Sequence, residues 1–163
     1  MYQYPSGGQE SVAPQRPPAP PSVQTAVKFM YAGAALSAIG LIIGLVTIHS
    51  LRAAILKRDP NYSTSQVHGA EVALVGGIVL VAIIGVGLWL WMAWANGRGK
   101  SWARIVASVL FAINTLDLVL SLSQPHAVLS LLFQILIWLA GLGAIVFLWR
   151  SESSSYFSAG RIA

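Results

Sequence analysis

Residues 96–104, NGRGKSWAR, contain Gly99-Lys100-Ser101, the residue order that ends a phosphate-binding loop. Such a loop needs another glycine five residues before Gly99, but Trp94 occupies that position, and it needs a strand where this chain has a long apolar run. The stretch instead predicts a tight turn, in which Gly97 and Gly99 adopt left-handed backbone conformations. We therefore expect no nucleotide and no other cofactor.

Asp117 is the residue best placed for chemistry inside an apolar run. A carboxylate in a membrane costs roughly 2.5–3.5 kcal/mol, so it usually faces protein or water and pairs with another group. Asn114 lies on the same helical face, and Gln134 reaches a similar depth in the next run. These three residues could form a proton or cation relay, or they could hold two helices together by hydrogen bonds. Without a second acidic group, the structural interpretation is favoured.

The three histidines, His49, His68 and His126, lie at the ends of apolar runs or in the connections between them. His68 and Glu71 share one helical face, and imidazole and carboxylate groups can bind zinc or, for histidine, respond to pH near neutrality. However, three separate segments would have to converge, and no paired-histidine spacing is present. We expect ordinary interfacial polar residues here, with no metal site.

The composition indicates that these groups are held in lipid. The chain has 163 residues, of which 56% are hydrophobic and 9% are charged, against about 25% charged residues in a typical soluble domain. A net charge of +5 could suggest nucleic acid in a soluble protein. Here the basic residues cluster at the ends of apolar runs, where they determine topology, so we predict no nucleic-acid partner.

Four apolar runs are close to the ~20 residues that a helix needs to cross a membrane. They cover about residues 26–49, 72–95, 105–123 and 127–149. Helices satisfy every backbone group within one segment, so the predicted fold class is all-α, a polytopic bundle of four transmembrane helices over residues 25–150. Six prolines in residues 1–24 predict a disordered Pro-rich cytoplasmic head. Residues 151–163 form a short cytoplasmic tail.

Local signals refine the second helix. Asp59-Pro60 ends any extension of the first helix, because the residue before a proline avoids the α conformation. Ser63 and Gln66 then have the spacing of a capping box. A helix that starts there and runs to Ala95 is longer than a membrane requires, so it must tilt or project.

The distribution of basic residues predicts the orientation. Seven Lys and Arg residues lie on the side of the two termini, and three lie on the other side (Arg52, Lys57 and Arg58). The positive-inside rule therefore places both termini in the cytoplasm. Arg98, Lys100 and Arg104 then form a basic turn that faces the anionic inner leaflet, at about 1 kcal/mol of attraction each.

Three segments, FMYAGAALSAIGLIIGLVT, LWLWMAWANGRGKSWARIV and WLAGLGAIVFLWR, together with the Pro-rich head, resemble uncharacterised small four-helix integral membrane proteins of actinobacterial type. The resemblance covers about residues 23–150. It implies a plasma-membrane location and supplies no catalytic residues.

Three functions fit these features. The favoured one is a non-enzymatic interaction or accessory protein of the plasma membrane, whose Pro-rich head binds a cytoplasmic protein partner. The alternative is a small transporter or channel component that uses Asp117 in a polar path. An intramembrane enzyme is disfavoured, because no catalytic pair or nucleophile is evident. Small residues along the first helix, including Gly40 and Gly44, would also suit a homo-oligomer.

Overall fold

The computed structural model describes residues 18–46, 49–123 and 128–159, and this part of the chain is α-helical with no strand. Its helices are α1 (Pro21–Val46), α2 (His49–Arg58), α3 (Thr64–Gly97), α4 (Ser101–Ser121), α5 (Val128–Leu148) and α6 (Ser151–Ala159). Four of them, α1, α3, α4 and α5, are long and apolar enough to cross a membrane. The predicted all-α fold is therefore confirmed for the described residues, and so is the prediction of four helices whose length and composition suit a membrane.

Helix α1 starts earlier than the sequence pattern indicated. It begins at Pro21, so residues 21–24, which were assigned to a disordered head, are helical. Proline is tolerated in the first turn of a helix because its missing N–H would have no intrahelical partner there. Residues 1–17 of the predicted head lie outside the described residues.

The predicted start of the second long helix is confirmed. The Ser63 backbone N–H donates to Gln66 Oε1 at 2.8 Å, and the Gln66 backbone N–H donates to Ser63 Oγ at 3.4 Å. This capping box gives two backbone N–H groups at the N-terminus of α3 a side-chain acceptor each. The helix has 34 residues, or about 51 Å at 1.5 Å per residue, and so exceeds the ~30 Å hydrocarbon core.

Two short helices were not predicted. Residues 49–58 form a separate helix, α2, which ends just before Asp59-Pro60 as the proline rule requires. Residues 151–159, which were assigned to the short tail, form helix α6. Helix α4 also begins at Ser101, inside the stretch expected to be a loop.

Packing is uneven along the bundle. Helix α1 packs extensively against α3 and α5, and α4 packs on α5, whereas α3 and α4 contact each other little. The buried core lies at the terminal end, defined here as the start of α1, the α3–α4 turn at residues 98–100, and α6. Its members include Val23, Ala26, Met92, Ala95, Ala103, Leu148 and Phe157. The opposite, distal end carries α2 and is mostly exposed.

Candidate functional site

Asp117 is bound to the neighbouring helix by a side-chain hydrogen bond. Gln134 Nε2 on α5 donates to Asp117 Oδ2 on α4 at 3.0 Å. The same amide accepts a hydrogen bond from Ser121 Oγ through Gln134 Oε1 at 2.8 Å. One carboxamide thus uses both its donor and its acceptor to connect two positions on α4. The sequence analysis did not identify Ser121, although its spacing of four residues from Asp117 places both on one helical face.

Two further hydrogen bonds join the same pair of elements. Trp138 Nε1 donates to Thr115 Oγ1 at 2.9 Å, and Trp149 Nε1, just beyond α5, donates to Ser108 Oγ at 3.0 Å. The two hydroxyl groups each donate to the backbone carbonyl four residues earlier on α4, which leaves an oxygen lone pair for the indole. Such interhelical bonds in membranes are worth about 0.6 kcal/mol each on average.

We call these groups the polar seam. Its members are Ser108, Thr115, Asp117 and Ser121 on the α4 side, and Gln134, Trp138 and Trp149 on the α5 side. Asp117 is exposed and lies about one turn from the end of α4 at Ser121. Its carboxyl group is therefore near the distal end of the helix rather than at its centre, where a charge would cost most.

Asn114 is separated from this seam. It is half-buried and lines a cavity of about 180 Å³ that is bounded by α1, α3, α4 and α5. Among the described residues, its carboxamide has no hydrogen-bond partner, and it does not contact Asp117 through a hydrogen bond. The sequence placed Asn114 and Asp117 on one helical face, but a spacing of three residues was not sufficient to join them.

The cavity has aromatic and glycine walls. Trp89 of α3 and Phe111 of α4 line it, together with Gly85 and Gly141. A Cβ atom on Gly141 would lie 2.9 Å from Phe111 Cδ2 and 3.6 Å from Trp89 Cη2. The absence of a side chain at residue 141 therefore makes room for the Phe111 ring.

The α3–α4 turn depends on one glycine. Gly99 has a φ of 67°, in the left-handed region that favours glycine. Gly97, which was expected to share that conformation, is instead the last residue of α3. The Arg98 guanidinium and the Lys100 ammonium group lie 4.4 and 4.6 Å from the Trp94 ring centroid, a cation–π arrangement at the exposed edge of the bundle.

Arg104, the third basic residue of the predicted lipid-facing turn, lies against α6. Its Nη1 donates to Ser154 Oγ at 3.0 Å, and its guanidinium carbon lies 4.2 Å from the Trp149 ring centroid. Its Nε atom is buried and has no hydrogen-bond partner among the described residues. The planar guanidinium thus stacks on an indole and holds the last helix in place.

Helix α6 closes the terminal end. Ser153 Oγ donates to Ser22 Oγ on α1 at 2.9 Å, and Tyr156 Oη donates to the Gly97 carbonyl at 3.2 Å. Phe157 is buried in the core. The beginning of α1 and the C-terminal helix are therefore held together at the α3–α4 turn.

The structure describes the side chain of one of the three histidines, His68. His68 is exposed on α3, and Glu71 is half-buried one turn further along. His49 begins α2, but its side chain lies outside the description, and so does all of His126. No group of three or more His, Cys, Asp and Glu side chains forms within the described ranges.

No protein-family model, curated protein or solved structure matches this chain.

Proposed function

We propose that this chain is a multi-pass plasma-membrane protein that acts as a non-enzymatic accessory protein and binds a cytoplasmic partner through its Pro-rich N-terminal segment. The observation that carries the proposal is the hydrogen bond between Ser22 and Ser153 at the packed terminal end. Because α1 starts at Pro21, the Pro-rich segment is joined to the terminal end of the bundle, which α6 and the α3–α4 turn stabilise. A segment rich in proline loses little conformational entropy when it docks in an aromatic-lined groove.

The basic residues of the terminal end support a cytoplasmic location for that end. Lys28, Arg98 and Arg150 are exposed at the terminal end, and Lys100 is half-buried beside them. An anionic inner leaflet attracts each basic residue near its surface by about 1 kcal/mol. The same residues therefore favour a cytoplasmic terminal end.

The absence of cysteine from the sequence makes the orientation simple to test. Asn61→Cys lies in an exposed connection at the distal end, and Ser158→Cys lies on the exposed side of α6. A membrane-impermeant maleimide added to intact cells should label Asn61→Cys and should label Ser158→Cys only after lysis. Labelling in the reverse order would contradict the proposed orientation.

Partner binding requires a variant that changes only the Pro-rich segment. Pro5, Pro14 and Pro17 are replaced by alanine, whereas Pro21 is kept because it begins α1 and Pro20 because its carbonyl accepts from the Gln24 backbone N–H. We expect a partner with a polyproline-binding groove to co-purify from native membranes with the unchanged chain and to be lost from the triple variant. A matched variant with Ser6, Ser11 and Gln15 replaced by alanine should retain the partner. Equal recovery with both variants would contradict the proposal.

The alternative transporter function would make Asp117 part of a polar path. Hydrogen bonding between Asp117, Gln134 and Ser121 supports a structural role for the carboxyl group instead. Its position near the distal end of α4 also favours that interpretation, because a charge there costs less than at the centre of a spanning helix. We therefore propose that the polar seam holds α4 to α5.

A further inference from the structure

Asn114 is a polar side chain at mid-helix that faces a cavity. It lies 13 residues after Ser101 at the start of α4, which is about 20 Å along a helix of 21 residues. Its neighbours in the cavity wall include Trp89, Phe111 and Ile145, which are apolar or aromatic. A carboxamide in such surroundings is stabilised when a ligand supplies the hydrogen bond that the protein does not.

The volume and the aromatic lining of the cavity suit a small ring. Its volume is about 180 Å³, and an apolar protein cavity of about 150 Å³ is known to accommodate benzene. Trp89 and Phe111 provide aromatic surfaces, and Gly85 contributes a wall without a side chain. A single six-membered ring with one or two small substituents therefore fills this space.

The cavity is partly open rather than enclosed. Its walls include Gly85, Leu88 and Trp89 on α3 and Leu110, Phe111 and Asn114 on α4. These two helices contact each other little, although a short turn joins them. An alkyl chain attached to the ring can thus leave between α3 and α4 and remain in the hydrocarbon of the membrane.

We propose that this cavity binds an alkylated ring ketone of the lipid-quinone class. The ring lies in the cavity against Trp89 and Phe111, one ring carbonyl accepts a hydrogen bond from Asn114 Nδ2, and the alkyl tail extends between α3 and α4. A ligand that is already dissolved in the membrane loses no hydration when it enters. The hydrogen bond to Asn114 therefore adds directly to its affinity. A phospholipid acyl chain could fill the same volume but offers Asn114 no acceptor.

The test uses the full chain in detergent micelles, with binding measured by native mass spectrometry. The two probes are 2-decyl-1,4-benzoquinone and decylbenzene, which share a ring and a tail but differ in the carbonyl oxygens. We expect the quinone to bind about tenfold more tightly, which corresponds to about 1.4 kcal/mol. Asn114→Leu should remove that preference. Equal binding of the two probes to the unchanged chain would indicate an acyl-type site and overturn the proposal, as would no quinone binding.

A second pair of variants tests the location independently of Asn114. A Cβ atom on Gly85 or on Gly87 would meet no other atom within 4 Å, so neither substitution is expected to prevent folding. Gly85 lines the cavity, whereas Gly87 is exposed on another side of α3. Gly85→Leu should abolish quinone binding, and Gly87→Leu should leave it unchanged. Undiminished binding to Gly85→Leu, or equal loss in both variants, would overturn the proposal.

Discussion

The indole ring of Trp89 lies directly against the backbone of Gly33. A Cβ atom at residue 33 would come within 2.8 Å of Trp89 Cε2, closer than real Cβ contacts. On α5, a Cβ atom on Gly141 would lie 3.6 Å from Trp89 Cη2. The tryptophan of α3 therefore packs into space that Gly33 on α1 leaves open, and it also lies in ordinary contact distance of Gly141 on α5.

Replacing Gly33 by alanine should destabilise the bundle. The added methyl group must displace the indole, and overpacking of this kind costs about 1–3 kcal/mol. The measurement is the free energy of unfolding in mixed detergent micelles titrated with sodium dodecyl sulfate. Gly76→Ala on the exposed surface of α3 is the control, because its Cβ would meet nothing within 4 Å. Higher helix propensity should leave its stability unchanged or raise it by up to about 1 kcal/mol. Equal effects at both positions would contradict the packing role.

Gly99→Ala should destabilise the α3–α4 turn for two separable reasons. Alanine at a φ of 67° costs roughly 1–2 kcal/mol, and its Cβ would also lie 2.7 Å from Tyr156 Cε1. The double variant Gly99→Ala with Tyr156→Ala removes the collision but keeps the unfavourable backbone conformation. In a double-mutant cycle, the double variant should therefore be less destabilised than the sum of the two single variants. Strict additivity would show that Tyr156 does not pack on the turn. Gly97→Ala, whose Cβ would be 3.7 Å from Val27 Cγ2, is the control.

Asp117→Asn should leave the stability of the bundle nearly unchanged, because the asparagine carbonyl oxygen can still accept from Gln134 Nε2. Asp117→Leu removes the acceptor and should cost about 0.6 kcal/mol, with an upper range near 1.7 kcal/mol. Proton flux into liposomes that contain a pH-sensitive dye should be the same for the unchanged protein and Asp117→Asn. A flux that is present in the unchanged protein and lost in Asp117→Asn would support the transporter alternative instead.

Arg104→Lys should loosen helix α6. Lysine keeps the charge but lacks the planar group that stacks 4.2 Å from the Trp149 ring centroid. We expect amide hydrogen exchange in residues 151–159 to become roughly tenfold faster, which corresponds to about 1.4 kcal/mol in local opening. Arg58→Lys at the exposed end of α2 should leave this exchange unchanged. If the Arg104 variant also exchanges at the original rate, the guanidinium does not hold α6.

Features that depend on local sequence were predictable. The length of the apolar runs predicted four spanning helices, and the residue types at Ser63 and Gln66 predicted the capping box that begins α3. The contact between Asp117 and Gln134 could also be predicted, because a short connection between two antiparallel helices fixes the depth at which their residues meet. Each of these inferences needs only periodicity, spacing and length.

Features that depend on how distant segments pack were not predictable. Asn114 lines a cavity because four helices surround it, and Arg104 turns inward because α6 returns to the bundle. The serine-rich composition of residues 151–155 gave no sign that Ser153 and Phe157 would be buried. Their burial comes from contacts with α1 and the core at the start of the bundle, which no local pattern encodes.

The buried side chains are concentrated at the terminal end of the bundle. We therefore expect that end to be rigid and the distal end to adapt to the membrane. Helix α3 is about 51 Å long from its 34 residues, and its distal half has few partners that would resist a change in inclination. A thicker or thinner bilayer can be accommodated by altering that inclination, because fractions of a kcal/mol per ångström are sufficient to tilt a helix. We expect the contacts around Val23, Met92 and Phe157 to stay intact while the distal ends of the helices adjust to the bilayer.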